Sequence, residues 1–225
     1  MRSDAAAVIP AYNCDRTIGP VVEAARRHVA NVVVIDDGSS DDTAAAARQA
    51  GARVESLLAN RGKGFALRRG IESALALAPR AIVLLDGDGQ HDPAEIPSLL
   101  AAWEGGAGDL VIGTRWSDPA AIPAARYWTN YVGSRILSWM TGTELLDSQS
   151  GFRVLSGELA RRLRLRSDGY AIESEMLIKA ARLGARIGHV PVRAIYDGCP
   201  SHFRPVTDTF LISCEAIYFK VFDDA

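Results

Sequence analysis

The stretch Ala81-Ile82-Val83-Leu84-Leu85-Asp86-Gly87-Asp88-Gly89-Gln90-His91-Asp92-Pro93 decides how this chain is read. Its five leading apolar residues are too few for a buried helix and fit a strand covered on both faces. The run ends in two carboxylates with one glycine between them. In an open parallel sheet, ligands gather at the carboxyl ends of the strands. Asp86 and Asp88 are two apart, so in extended chain they point the same way, and Gly87 and Gly89 let a ligand approach the backbone. Paired carboxylates there suit a hard divalent cation, Mg2+ or Mn2+, which would in turn hold a diphosphate. Asp92 and Pro93 fit the cap and first position of a new helix. Taken alone, the same residues also fit an acidic, solvated turn.

The segments before this strand repeat its pattern. Residues 5–9 read as a strand stopped by Pro10, followed by a helix over 17–28 with Thr17 as its cap. Asn31-Val32-Val33-Val34-Ile35 is a second buried strand, ending at Asp36-Asp37-Gly38. Ser39 and Asp42 have the spacing of a helix start, and an alanine-rich helix runs to Ala50, closed by Gly51. Residues 53–58 give a third strand and 64–78 a helix with an apolar stripe. Three strand–helix alternations in the first hundred residues predict an α/β fold: a mostly parallel sheet with helices on both faces. Beyond it come a strand at 110–113, a loop at 114–123 and a helix over 126–140 beside Tyr127, Trp128 and Tyr131. A strand at 151–155, a helix over 173–183 and one or two strands within 186–196 follow. No linker or repeat divides the chain, so 1–225 reads as one domain.

Composition excludes several classes. Of 225 residues 48% are hydrophobic and 23% charged, as in ordinary globular proteins, and the net charge of −2 gives no reason to expect a nucleic-acid partner. Arg161, Arg162, Arg164 and Arg166 fit a solvated face. Cys14, Cys199 and Cys214 are odd in number and form no CxxC pair, which argues against a disulfide framework and a zinc site and fits a cytoplasmic setting. No apolar run reaches the roughly 18 residues of a membrane span. His91 and His202 read as surface residues in turns.

Other strand ends add polar groups to the same edge. Asp36-Asp37-Gly38 can accept hydrogen bonds from a base or a ribose. Asn60-Arg61-Gly62-Lys63-Gly64 offers backbone amides and a lysine for phosphate at a helix N-terminus. It is not a Walker loop, because Leu57 and Gly64 stand where that motif needs Gly and Ser or Thr, and no GxGxxG follows the first strand.

Five motifs in order, VIPAYN (8–13), VIDDGSSDDT (34–43), NRGKGFALRRGI (60–71), VLLDGDGQHDP (83–93) and DSQSGFR (147–153), followed by GYAIESEMLIKAARLG (169–184) and VPV (190–192), resemble the family 2 inverting glycosyltransferases of the GT-A fold. DGDGQHDP, DSQSGFR and ESEM are most similar to the polyprenyl-phosphate (dolichol-phosphate-like) mannosyl- and glucosyltransferase branch.

The resemblance implies a nucleotide-sugar half, 1–113, and an acceptor half, 114–225. Pro10, Ala11, Tyr12 and Asn13, with Asp36, Asp37 and Gly38, would bind the nucleoside of a UDP- or GDP-sugar. Lys63 and Gly87 would lie by the diphosphate. Asp86, Asp88 and Gln90 would form the metal shell, with Asp88 ranked ahead of Asp86 as direct ligand. Arg115 and Arg126 would hold an acceptor phosphate, for which a guanidinium fork is suited, and residues 147–153 would close over the acceptor. A phosphate acceptor needs no strong base; a hydroxyl acceptor does, and Glu173 or Glu175 is then the candidate.

Many members of that branch carry membrane helices after the catalytic domain, and this chain ends at Ala225 without any. The apolar clusters Phe210-Leu211-Ile212 and Ile217-Tyr218-Phe219 fit packing against the sheet. They would alternatively meet the inner face of a membrane or a second subunit of a homodimer. Three other readings compete. An aspartyl-nucleophile phosphatase also uses Asp-x-Asp but on its first strand, whereas this pair follows the fourth. A soluble sugar or small hydroxyl acceptor would replace the lipid phosphate. A non-catalytic nucleotide-sugar-binding protein would keep the donor residues without turnover.

Overall fold

The computed structural model describes residues 3–115, 124–193 and 195. Its strands are β1 (Ser3–Ala11), β2 (Val29–Asp36), β3 (Arg53–Ser56), β4 (Ala81–Leu84), β5 (Leu110–Thr114), β6 (Arg153–Ser156) and β7 (Ile187–Pro191). The helices are α1 (Asp15–Ala25), α2 (Thr43–Gln49), α3 (Lys63–Leu75), α4 (Ile96–Glu104), α5 (Ala124–Thr141), α6 (Gly157–Arg162) and α7 (Ile172–Arg182). The strands form one sheet in the order β3-β2-β1-β4-β6-β5-β7. Every described pairing is parallel except those of β6, which runs against both β4 and β5.

The continuous apolar strands follow from having helices on both faces. Along β1, Ala6 and Val8 join one buried cluster with residues of α3, α6 and α7, while Ala5, Ala7 and Ile9 join the other with α1, α2 and α4. A strand covered twice cannot alternate apolar with polar. Each fully buried Val, Leu, Ile, Phe or Met side chain in these layers contributes about 1.5–3 kcal/mol.

Several helix starts differ from the sequence reading. Helix α1 begins at Asp15, after Asn13 in the left-handed region at φ 48°. Thr17 is therefore not its cap: the Thr17 hydroxyl donates to the Gly87 carbonyl at 2.7 Å and ties α1 to the acidic turn. Ser39 does not cap α2 either. Its amide donates to Asp36, its hydroxyl accepts from the Asn13 amide, and the Thr43 amide donates to Asp41. Asp92 does cap the next element, accepting from the Ala94 amide, with Pro93 at the first position of a 3-10 turn before α4. Helix α6, absent from the sequence reading, is capped by Ser156; Arg161, Arg162, Arg164 and Arg166 are exposed there, as a solvated face requires.

This topology puts the carboxyl ends of β1, β2, β4 and β5 on one edge. Because β6 runs the opposite way, the segment entering it, 147–152, reaches the same edge. No helix among the described residues is long and apolar enough to cross a membrane. His202 and the apolar clusters of 210–219 lie outside the described residues.

Candidate active site

A pocket of about 390 Å3 opens on that edge. At one end it is lined by Pro10, Ala11, Tyr12 and Asp37, in the middle by Lys63, Asp86, Gly87, Asp88 and Gln90 with Tyr170 and Glu173 against Lys63, and at the other end by Arg115, Asn130 and Gln149. Eleven of the residues singled out from sequence thus share one cavity. The others serve it from outside. The Asn13 side chain accepts from the Ser40 amide, buried Asp36 accepts from Ser39, and Gly38 turns at φ 71° against the Ala59 backbone. The Arg126 side chain lies outside the described residues.

Lys63 is the electrostatic centre. Its ammonium lies 2.8 Å from one Asp86 oxygen and 2.6 Å from Glu173, and 5.8 Å above the Tyr170 ring. Burial works to lower its pKa, but Asp86 and Glu173 outweigh burial and raise it, so Lys63 stays charged. Burial likewise works to raise Asp86, and Lys63 followed by His91 overcomes it, leaving Asp86 below the usual carboxylate range. Gly151 belongs to this contact: a Cβ there would sit 2.6 Å from the Asp86 carboxylate.

Asp37 accepts from the Arg61 and Gly62 amides at 2.8 Å each, so both its oxygens fix the loop before α3. The helix N-terminus expected to receive phosphate through its amides is already engaged. The Gly64 and Phe65 amides donate to the Asp168 carbonyl at 2.7 and 3.3 Å. What α3 offers the pocket is Lys63 itself.

Arg115 makes a fork with Asp147, Nε and Nη2 each at 2.8 Å, which makes it a strut between β5 and the 147–153 segment as well as a pocket wall. Glu175 corrects the sequence reading. It is 0% exposed, does not line the pocket, and accepts from the Arg166 and Ser167 amides, so it has no access to a substrate proton. Of the two candidate bases only Glu173 reaches the cavity.

Two buried residues carry more than the sequence indicated. His91, read as a surface turn, is 3% exposed, packs 5.3 Å from the Phe152 ring and lines the pocket. Burial pushes its pKa down to about 4, so it is neutral near pH 7, and no partner among the described residues bonds its Nδ1. Arg153 is fully buried and donates to the carbonyls of Ser148, Ser150 and Glu173, tying the 147–153 segment to α7. A lone polar residue in a motif gives no local signal of such burial. Cys14, also on the pocket wall, has its thiol pushed up to about 11 by burial and is no nucleophile near neutral pH.

A divalent cation fits this donor set. Asp88 and Gln90 present hard oxygen donors on the pocket wall, beside an Asp86 that Lys63 holds ionised. No group of three His, Cys, Asp or Glu side chains among the described residues makes a metal site on its own. Mg2+ is generally held by one or two carboxylates together with substrate phosphates.

The sequence model of glycosyl transferase family 2 matches residues 6–162, which carry every motif from β1 through α6. The chain belongs to glycosyl transferase family 2. Among relatives of this glycosyltransferase, glycosyltransferase AglJ of Haloferax volcanii is 34% identical over 213 residues, 92% of this chain and 68% of that one. The UDP-N-acetylglucosamine–dolichyl-phosphate N-acetylglucosaminyltransferase of Methanococcus voltae is 34% identical, over 61% of this chain and 57% of its own length. The GT-A fold is shared with glucosyl-3-phosphoglycerate synthase of Mycobacterium tuberculosis. A crystal structure of that protein with Mn2+, UDP-glucose and phosphoglyceric acid superposes with a TM-score of 0.73. The two are 26% identical over 96% of this glycosyltransferase and 77% of that chain.

Proposed function

We propose that this glycosyltransferase moves a sugar of the mannose or glucose type from a UDP- or GDP-sugar to a polyprenyl phosphate, with inversion at the anomeric carbon and dependence on Mg2+ or Mn2+. The observation that carries this reading is the single pocket that joins the Pro10–Tyr12 and Asp37 end to the Arg115, Asn130 and Gln149 end through Lys63, Asp86 and Asp88. A donor and an acceptor can meet there across the carboxylates. The dolichyl-phosphate enzyme among the relatives supports the acceptor class, and the UDP-glucose complex of the structural neighbour supports the donor class.

In this reading the nucleoside lies against Pro10, Ala11 and Tyr12, and Lys63 faces the diphosphate. A cation held by Asp88 and Gln90 would supply Lewis acidity to the leaving diphosphate. The acceptor phosphate enters from the side of Arg115 and Arg126, already ionised near neutral pH, so it attacks without a strong base. Glu173, paired to Lys63, then fixes that lysine and need not take a proton. The first half of the chain, 1–113, supplies the donor end, and 114–225 supplies the acceptor end.

A second reading keeps the donor and replaces the lipid with a soluble phosphate compound. The neighbour bound to phosphoglyceric acid over almost the whole length of this chain favours it.

Transfer of labelled sugar from UDP- and GDP-sugars, with and without polyprenyl phosphate, tests both. Label extracted into organic solvent that requires lipid, metal, Asp88 and Arg126 is the expected result. Metal-dependent release of UDP or GDP without extractable label would move the acceptor to the soluble class. No consumption of any donor would favour a non-catalytic nucleotide-sugar-binding protein.

A further inference from the structure

Glu173 and Glu175 are two apart at the start of α7, yet only Glu173 meets the pocket. Glu175 is fully buried away from it. Its two oxygens accept from the Arg166 amide at 2.7 Å and the Ser167 amide at 2.9 Å. Lys179, one turn on, pairs with it at 3.0 Å and donates to the Arg164 carbonyl at 2.5 Å. A buried carboxylate and a buried ammonium thus hold the backbone of residues 164–167, and no part of the reaction proposed above uses them.

The chain leaving this latch goes straight to the first turn of α3, at Lys63 in the middle of the site. Asp168 turns its carbonyl onto the Gly64 and Phe65 amides and its carboxylate onto Arg68. The fit is close: a Cβ at Gly64 would collide with the Ser167 carbonyl, and one at Gly62 with the Asp168 carbonyl. Gly169 and Tyr170 follow as pocket wall, with the Tyr170 ring under the Lys63 ammonium. The first turn of α3, which carries Lys63, therefore rests on a loop whose other end is fixed by Glu175.

We infer that Glu175 is a positioning residue for the donor diphosphate, acting through the 164–170 loop on the first turn of α3 and so on Lys63. The assignment of the diphosphate rests on the nucleotide-sugar reading; the latch itself does not. A glutamine at 175 offers one acceptor where two amides need one each and leaves Lys179 without its ion pair. Loss of a charge-assisted hydrogen bond predicts roughly tenfold or greater effects.

Two readouts separate positioning from plain stability. In E175Q, hydrogen exchange at the Gly64 and Phe65 amides should quicken by about tenfold or more, while the amides of β1 keep their protection. In the same variant UDP or GDP should bind about tenfold more weakly with Mg2+ present. In a K63A background, E175Q should cost nothing further, because the lysine through which it acts is gone. G64A, which pushes the loop away from the other side with Glu175 intact, should reproduce both effects. Unchanged exchange at Gly64 and Phe65 in both E175Q and G64A would overturn the latch. Equal losses of nucleotide affinity with and without Lys63 would overturn its action through that lysine. Wild-type protein that binds neither UDP nor GDP would refute the nucleotide-sugar reading and the role at the diphosphate together, and the exchange experiment would still decide the latch.

Discussion

In the proposed reading Asp88 and Gln90 would supply two oxygen donors where Mg2+ or Mn2+ takes roughly six, and Asp86 beside them is ion-paired with Lys63. The remaining ligands must come from water or from substrate phosphates, so cation and nucleotide should bind as a linked pair. Mn2+ followed by electron paramagnetic resonance should bind wild-type protein about tenfold more tightly with UDP or GDP present than alone. In D88N the enhancement should vanish. Equal Mn2+ affinity with and without nucleotide would mean a complete protein cage and would contradict the donor set seen here. These acids were legible in the sequence because each follows a buried strand and abuts glycine, a local pattern. His91 and Arg153 were not. What buries them is the Phe152 ring and the carbonyls of Ser148, Ser150 and Glu173, neighbours that only the folded sheet brings together.

At the scale of elements, the acceptor side depends on a strand that runs against its neighbours. Strands β1, β2, β4 and β5 were readable as apolar runs and β6 as the strand expected at 151–155, but pairing direction leaves no mark on such a run, so neither the antiparallel sense of β6 nor the short α6 after it was read. Because β6 enters from the ligand edge, Asp147 just before it meets Arg115 at the end of β5, and their fork joins the two elements. Burial works to raise the Asp147 carboxyl; the Arg115 charge and its hydrogen bonds outweigh that and hold it below the usual carboxylate range. The unfolded chain therefore takes up this proton at a higher pH than the folded one. The stabilisation is complete above about pH 4 and is lost as pH falls further, through the lower folded pKa. D147N removes the charged partner of a part-buried guanidinium and should cost roughly 1.5–3 kcal/mol in urea unfolding at pH 7. The gap from wild type should then narrow below about pH 4. A gap that stays constant down to pH 3 would show that the fork contributes little.

At the scale of the molecule, a polyprenyl phosphate acceptor sets a geometric demand: the phosphate must reach the pocket while its chain stays in lipid. Helix α5 meets that demand on two sides. Asn130 faces the pocket and Ser134 is bonded to Ser148 beneath it, whereas Trp128, Tyr131, Ile136 and Trp139 lie exposed on the outer side with Arg135 among them. Trp128 and Trp139 are 61% and 81% exposed, large apolar areas in water, and tryptophan and tyrosine side chains suit the headgroup layer of a bilayer. The helix that walls the acceptor side would thus lie along the membrane surface that supplies the acceptor. Replacing Trp128 and Trp139 with alanine should weaken cosedimentation with anionic phospholipid vesicles by about tenfold or more. As exposed changes they should alter folding stability by less than about 1 kcal/mol. Nucleotide binding should be unchanged, and so should transfer to a short, water-soluble polyprenyl phosphate. Loss of transfer only when the acceptor is embedded in vesicles would place the effect at the membrane surface. Wild-type protein that ignores vesicles while glycosylating a soluble phosphate would assign the acceptor to the soluble class and leave the aromatic face of α5 unrelated to it.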